Sequence, residues 1–272
     1  MLNIECDPKG NRNMKETTWP WLRDRVKAMG WTCFVVFPIV TVLLVAGCED
    51  GATSVPAVVL PSHDFGDNDP DLYVAMGDSI TKGIGVAPYP AMLADLILKT
   101  VINEGISGEH AYEGAARVGA MLMQYKPGYL LILYGANDIV HRESTEDIVE
   151  DLRQIVNAAR DVKAVPVLAT LTPMVRSHRG FQGPVLALNA RIRSLAVAED
   201  ILLVDLEAVF DSFDDDEDPY DLDEDDLLQR DGLHPNETGN LEIALAFEAG
   251  LVRYEPMFPG THLRRETPPQ SR

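Results

Sequence analysis

The chain has 272 residues, 46% of them hydrophobic, and a formal net charge of −20 at pH 7. That length accommodates one sizeable α/β domain but not two large ones, and the regularly recurring apolar segments exclude a chain disordered throughout. So acidic a molecule repels polyanions, which argues against nucleic acid as a partner.

Residues 1–30 are polar and mixed in charge, with Arg23, Arg25 and Lys27 just before an apolar run over 31–47. The run closes on Leu44-Val45-Ala46-Gly47-Cys48. A basic flank, an apolar core and small residues before a cut site describe a secretory signal. The small pair ahead of cysteine resembles the lipobox of bacterial lipoproteins, which implies cleavage before Cys48 and a lipid anchor on that cysteine. An uncleaved anchor or an ordinary signal is the alternative. Against a span, the run is short of the ~20 apolar residues required, and Pro38 interrupts it. Either way, the rest of the chain is expected outside the cytoplasmic membrane. The polar stretch before the signal is long enough to leave Met14 and Met29 as alternative starts.

Six basic against four acidic side chains in 1–47 turn the −20 of the whole chain into −22 from Cys48 onward. Cys6, Cys33 and Cys48 are the three cysteines, so nothing beyond Cys48 can form a disulfide, a thiol nucleophile or a cysteine metal site. Residues 48–70, rich in Pro, Gly, Ser and Asp, read as the lipidated cysteine and a tether. A domain is expected over 71–254 and a polar tail over 255–272.

Within the domain, short apolar runs alternate with amphipathic stretches. Strands are predicted at 72–76, 100–103, 129–134, 165–170 and 201–206, and helices at 90–99, 115–125, 144–162, 185–198 and 236–252. Strands separated by helices imply a parallel sheet covered on both faces. In such sheets, sites form beyond the carboxyl ends of the strands. The Asp/Glu-rich stretch 211–226 lacks the spacing, the glycine turn and the terminal glutamate of a calcium loop, and reads as a solvated acidic loop.

Four segments carry chemistry. Gly77-Asp78-Ser79-Ile80-Thr81, Asn103-Glu104-Gly105-Ile106-Ser107-Gly108 and Gly135-Ala136-Asn137-Asp138 begin where the first three strands end. The fourth, Asp231-Gly232-Leu233-His234-Pro235, lies late in the chain. A serine hydroxyl attacks only when a base removes its proton. His234 offers the base, and Asp231, three residues earlier, can fold back to orient the ring. Gly105 lacks a side chain to block the approach of its N–H to a substrate, and Asn137 offers a side-chain amide. Taken singly, each is more often a cap or a turn residue. The first segment is neither the G-x-S-x-G elbow nor a phosphate-binding P-loop.

Together the four segments resemble the blocks of the SGNH (GDSL-type) esterase/lipase superfamily, over roughly 71–252, nearly the whole domain. The resemblance implies a flavodoxin-like three-layer α/β/α sandwich on a five-stranded parallel sheet. It implies Ser79 as nucleophile, His234 as base and Asp231 as its partner. The oxyanion donors it implies are the N–H groups of Ser79 and Gly105 and the amide of Asn137. It implies no metal and no organic cofactor.

An esterase of the bacterial cell envelope follows, membrane-anchored through Cys48 and acting on a small-molecule or lipid ester. The helices after Ser79 and after Gly180 resemble those of the compact arylesterase and lysophospholipase/thioesterase branch, which implies small or acyl-chain esters. Two alternatives are a carbohydrate O-deacetylase or O-acyltransferase, and a non-catalytic surface binding lipoprotein. Trp19, Trp21 and Trp31 all precede Cys48, so the domain has no tryptophan platform for sugar rings. Arg176, His178 and Arg179 form a basic loop after the fourth strand, either reaching the site rim or simply solvated.

Overall fold

The computed structural model describes residues 63–213 and 227–254, the last two by backbone alone. Apart from these, it places a two-residue antiparallel ladder pairing Glu5–Cys6 with Arg12–Asn13. The apolar run over 31–47, Cys48, most of the stretch read as a tether, the bulk of the acidic stretch and the polar tail lie outside the described residues.

Five strands form one parallel sheet: β1 (Asp69–Gly77), β2 (Thr100–Gly105), β3 (Pro127–Leu133), β4 (Val165–Ala169) and β5 (Leu202–Val204). Their order across the sheet is β2-β1-β3-β4-β5. The order reverses between β1 and β3, which is where a doubly wound sheet opens a crevice at its carboxyl edge. Strand β3 is buried at every residue, as its unbroken apolar run requires of a central parallel strand. Edge strand β2 is only partly covered.

The longer helices are α2 (Tyr89–Ile97), α3 (Ala111–Tyr125), α5 (Thr145–Asp161), α6 (Gln182–Glu199) and α8 (Glu237–Tyr254). Helices α2 and α8 pack together on one face of the sheet, while α5 packs against both α3 and α6 on the other. Right-handed crossovers from a sheet of this order produce that division. The rings of Tyr89 and Phe247 stack 5.2 Å apart between α2 and α8. The three-layer sandwich expected from the sequence is the fold observed.

Boundaries differ from the sequence reading in instructive places. Helix α3 begins four residues before the predicted start and includes Gly114. A Cβ there would lie 2.7 Å from the Tyr134 ring, so the glycine is a packing requirement rather than a breaker. The fifth strand is three residues long instead of six, because the Asp205 side chain caps helix α7 (Leu206–Asp211) through the Ala208 N–H. Helices α1 (Ser79–Lys82) and α4 (Ala136–Val140) are too short to show a helical period, and both begin inside site segments.

Candidate active site

Strand β1 delivers Ser79 to the crevice. A Cβ on Gly77 would lie 2.0 Å from Thr81 Oγ1 and 2.5 Å from the Leu133 carbonyl, so only glycine fits where the chain turns from strand to α1. Asp78 caps α1 by accepting the Ile80 N–H at 2.9 Å. Its other oxygen accepts from Asn137 Nδ2 at 3.2 Å, linking the nucleophile turn to the end of β3. Burial pushes the Asp78 carboxyl up to about 7, and the neighbouring charges of Asp138 and Glu109 add to the rise.

Asn137 also donates to the Glu109 carbonyl at 3.0 Å. Arg117 fixes Glu109 from two sides, with Nε on Oε1 at 2.6 Å and Nη2 on Oε2 at 2.7 Å. The orientation of the amide therefore rests on a partly buried Glu109–Arg117 pair that the sequence reading did not include.

The base comes from the loop before α8. His234 Nε2 lies 2.8 Å from Ser79 Oγ, and His234 Nδ1 lies 2.6 Å from Asp231 Oδ2. Asp231 Oδ1 accepts the backbone N–H groups of Leu233 at 3.0 Å and His234 at 3.1 Å. Partial burial works to raise the Asp231 pKa, but the hydrogen bonds from the His234 ring and these two N–H groups outweigh it. The carboxyl is held below its ordinary value. Ser79, His234 and Asp231 thus form one hydrogen-bonded chain, in which the ionised Asp231 accepts from Nδ1–H and leaves Nε2 as the acceptor for the serine proton.

The basic loop touches this assembly. Its 3₁₀ segment Arg176–Phe181 lies against the carbonyls of the base loop. Ser177 Oγ donates to the Asp231 carbonyl at 2.7 Å, His178 Nδ1 lies 2.8 Å from the same oxygen, and Arg176 Nη1 donates to the Gln229 carbonyl at 2.9 Å. The loop does reach the rim, where these side chains support the backbone that carries Asp231.

Gly105 does not fit the role expected for it. Its N–H donates to Asn103 Oδ1 at 2.9 Å, and a Cβ on it would lie 2.3 Å from the Lys82 nitrogen. Asn103 in turn donates to the Thr81 carbonyl at 2.8 Å, so Asn103 and Gly105 brace the loop after β2 against α1. Farther along, Ile106 N–H donates to the Gly77 carbonyl and Glu109 N–H to that of Ile106. The N–H of Gly108 donates to no group among the described residues. Gly108 sits at φ 82° with open space where a side chain would be. The Ser79 N–H, at the first position of α1, is likewise uncommitted among the described residues.

A parallel α/β sheet that joins serine, histidine and aspartate by hydrogen bonds at its carboxyl edge defines a serine hydrolase. The chain belongs to the GDSL-like Lipase/Acylhydrolase family, whose model matches residues 75–241. It is 28% identical over 183 residues to Thioesterase 1/protease 1/lysophospholipase L1 of Escherichia coli strain K12, covering 64% of this chain and 80% of that one. An arylesterase of Vibrio mimicus is 31% identical over 103 residues, 35% of this chain and 52% of that one. The fold is shared with the crystal structure of a GDSL-like lipase from Bacteroides thetaiotaomicron. That match has a TM-score of 0.57 at 21% identity and covers 67% of this chain and 88% of that one.

Proposed function

We propose that this family hydrolase is an envelope esterase that cleaves small or acyl-chain carboxylic esters or thioesters through an acyl-enzyme on Ser79. The observation that carries the reading is the Ser79–His234–Asp231 hydrogen-bonded chain. As Ser79 Oγ attacks the carbonyl carbon, its proton passes to His234 Nε2. The imidazolium so formed is stabilised by the carboxylate of Asp231. Negative charge develops on the former carbonyl oxygen, and the uncommitted N–H groups of Ser79 and Gly108 stand for two of its donors. Asn137 supplies the third when its amide turns from Asp78 to the oxyanion. His234 returns the proton to the leaving alcohol or thiol, and a water activated by the same imidazole then releases the acyl group.

The ester class takes support from the relatives, one named for thioester and lysophospholipid chemistry and the other for aryl esters. Exposed Ile84 and Ile106 follow α1 and β2 respectively, and offer apolar surface on loops of the carboxyl edge. The test is p-nitrophenol release from acetyl, butyryl and octanoyl esters by the wild-type chain and by Ser79→Ala. Turnover in the wild type and its loss in the variant are the expected results. A folded wild-type chain inactive on all three esters, or an active Ser79→Ala, would count against the reading.

The envelope location rests on the signal and the small pair before Cys48. In a bacterial host, Cys48→Ser is expected to move the protein from the membrane fraction to the soluble one. Unchanged membrane association in that variant would reject the lipid anchor.

A further inference from the structure

On the other side of Asn137 lies a second group of polar side chains, which the serine chemistry does not use. Asp138 is fully buried. Its Oδ1 accepts the Ala111 N–H at 2.9 Å, but its Oδ2 meets no hydrogen-bond partner among the described residues. His110 Nδ1 lies 4.0 Å from Asp138 Oδ1 and 2.8 Å from Glu143 Oε1. Despite that approach, Nδ1 makes no hydrogen bond among the described residues. One donor atom from each of the three residues lies within 4.8 Å of the others. The His141 ring stands beside them, its centroid 4.7 Å from that of His110.

Two simpler accounts leave part of this unexplained. Compensation of the α3 dipole by an acidic residue accounts for Asp138 Oδ1, which binds the first N–H of the helix, but not for Oδ2. An imidazolium held between two carboxylates needs an N–H aimed at an oxygen, which His110 Nδ1 does not provide. A buried carboxylate oxygen with no donor is costly and calls for a ligand.

We propose that His110, Asp138 and Glu143 bind a divalent transition-metal ion of the zinc class. One imidazole nitrogen and two carboxylate oxygens form a mixed donor set that suits zinc, with bonds of about 2.0–2.2 Å, and they leave a position for water. Calcium, which takes about six to eight oxygens, is poorly matched. Closing the cluster onto an ion needs a movement of Glu143, the most exposed of the three side chains. His110 follows Glu109, whose carbonyl accepts from the Asn137 amide, and Asp138 follows Asn137 itself. The ion therefore ties together the two segments that orient this amide. That consequence for turnover rests on the esterase reading, whereas metal binding does not.

The test uses the full chain stripped with a chelator and titrated with cobalt(II), followed by its visible d–d absorption and by displacement with zinc. Saturable binding of one equivalent is expected, with affinity reduced about tenfold or more in His110→Gln and in Glu143→Gln, and abolished in Asp138→Asn. Glu143→Gln changes a partly exposed side chain, so it keeps the test decisive should the Asp138 variant fail to fold. Absence of saturable binding in the wild type, or unchanged affinity in both His110→Gln and Glu143→Gln, would overturn the proposal. The readout needs no substrate, so it stands apart from any failure of the esterase assay.

Discussion

Ser79 and His234 meet at 2.8 Å, yet the two sides of that contact are held in unlike ways. On the nucleophile side, the turn after β1 is set by close packing: Gly77 is pressed against Thr81 and Leu133, Gly105 against Lys82, and Asp78 is buried. On the base side, Gly232 is packed against the Val175 carbonyl, but the loop around it is held mainly by hydrogen bonds. Gln229 N–H donates to the His234 carbonyl, its side chain reaches the carbonyls of Ile84 and Pro235, and Ser177 and His178 engage the carbonyl of Asp231. The Asp231 side chain itself is 40% exposed. A close-packed turn cannot shift without disturbing the sheet, whereas hydrogen bonds to a surface loop can be removed one at a time. Scaffold changes on the first side should therefore lower stability, and changes on the second should lower rate with the fold intact.

The largest effect expected of that contrast is on rate. Asp231→Asn keeps an oxygen for the Leu233 and His234 N–H groups but sets an amide against His234 Nδ1, favouring the wrong tautomer. A loss of about 10³–10⁴ in kcat is expected with an unchanged melting temperature. A variant that lost stability in proportion to rate would show the base loop to be part of the packed scaffold.

The glycine that ends β2 and the one three residues beyond it sharpen the comparison next. Gly105→Ala places a methyl 2.3 Å from the Lys82 nitrogen and is expected to cost about 3 kcal/mol or more in urea unfolding. Gly108→Ala enters open space and costs about 1–2 kcal/mol for its positive φ, while lowering kcat through a displaced N–H. The reverse pattern, with Gly105→Ala stable but inactive, would return the oxyanion role to Gly105.

Asp78 makes the packed side sensitive to pH. Burial raises its carboxyl from 3.8 to about 7, so the folded chain holds a proton that the unfolded chain releases. The stability contributed by the protonated form is complete below the unfolded value and is lost as pH rises through the folded one. Wild-type stability minus that of Asp78→Asn should therefore fall by a few kcal/mol between about pH 4 and pH 7 and level off above. Denaturation series at four pH values would measure it, and a flat difference would mean that Asp78 is ionised throughout.

The smallest effect is expected at His178. Removing its contact with the Asp231 carbonyl should cost about 1 kcal/mol or less in stability and lower kcat severalfold without changing KM. Equal activity in His178→Ala and wild type would show that Ser177 alone suffices to hold that carbonyl.

The sequence revealed the apolar strands and the residues at their carboxyl ends, because a parallel strand needs a short buried run and a site segment must follow it. Ser79 and Asn137 stood out for that reason, and Asp231 and His234 by their mutual spacing; Ser79, His234 and Asp231 meet in one hydrogen-bonded chain. Glu109 passed unremarked, and Asp78 was read only as part of the turn before Ser79: an acidic residue whose carboxylate or backbone carbonyl holds an amide looks the same in sequence as any other. The short helices at Ser79 and Ala136 left no period to read. In the block that closes β2, the oxyanion role was read onto Gly105 alone, and the Asn103 side chain that engages its N–H is visible only in three dimensions.

By itself, then, the sequence determined the kind of sheet and the chemical groups brought to its edge, since local apolar periodicity and short segments carry both. The tertiary structure decided which N–H groups stay uncommitted. It also brought His234 to a serine 155 residues earlier in the chain, and left Asp138 with a buried oxygen that meets no partner among the described residues. These outcomes depend on how distant loops pack across the β2-β1-β3-β4-β5 order, and no local pattern encodes that packing.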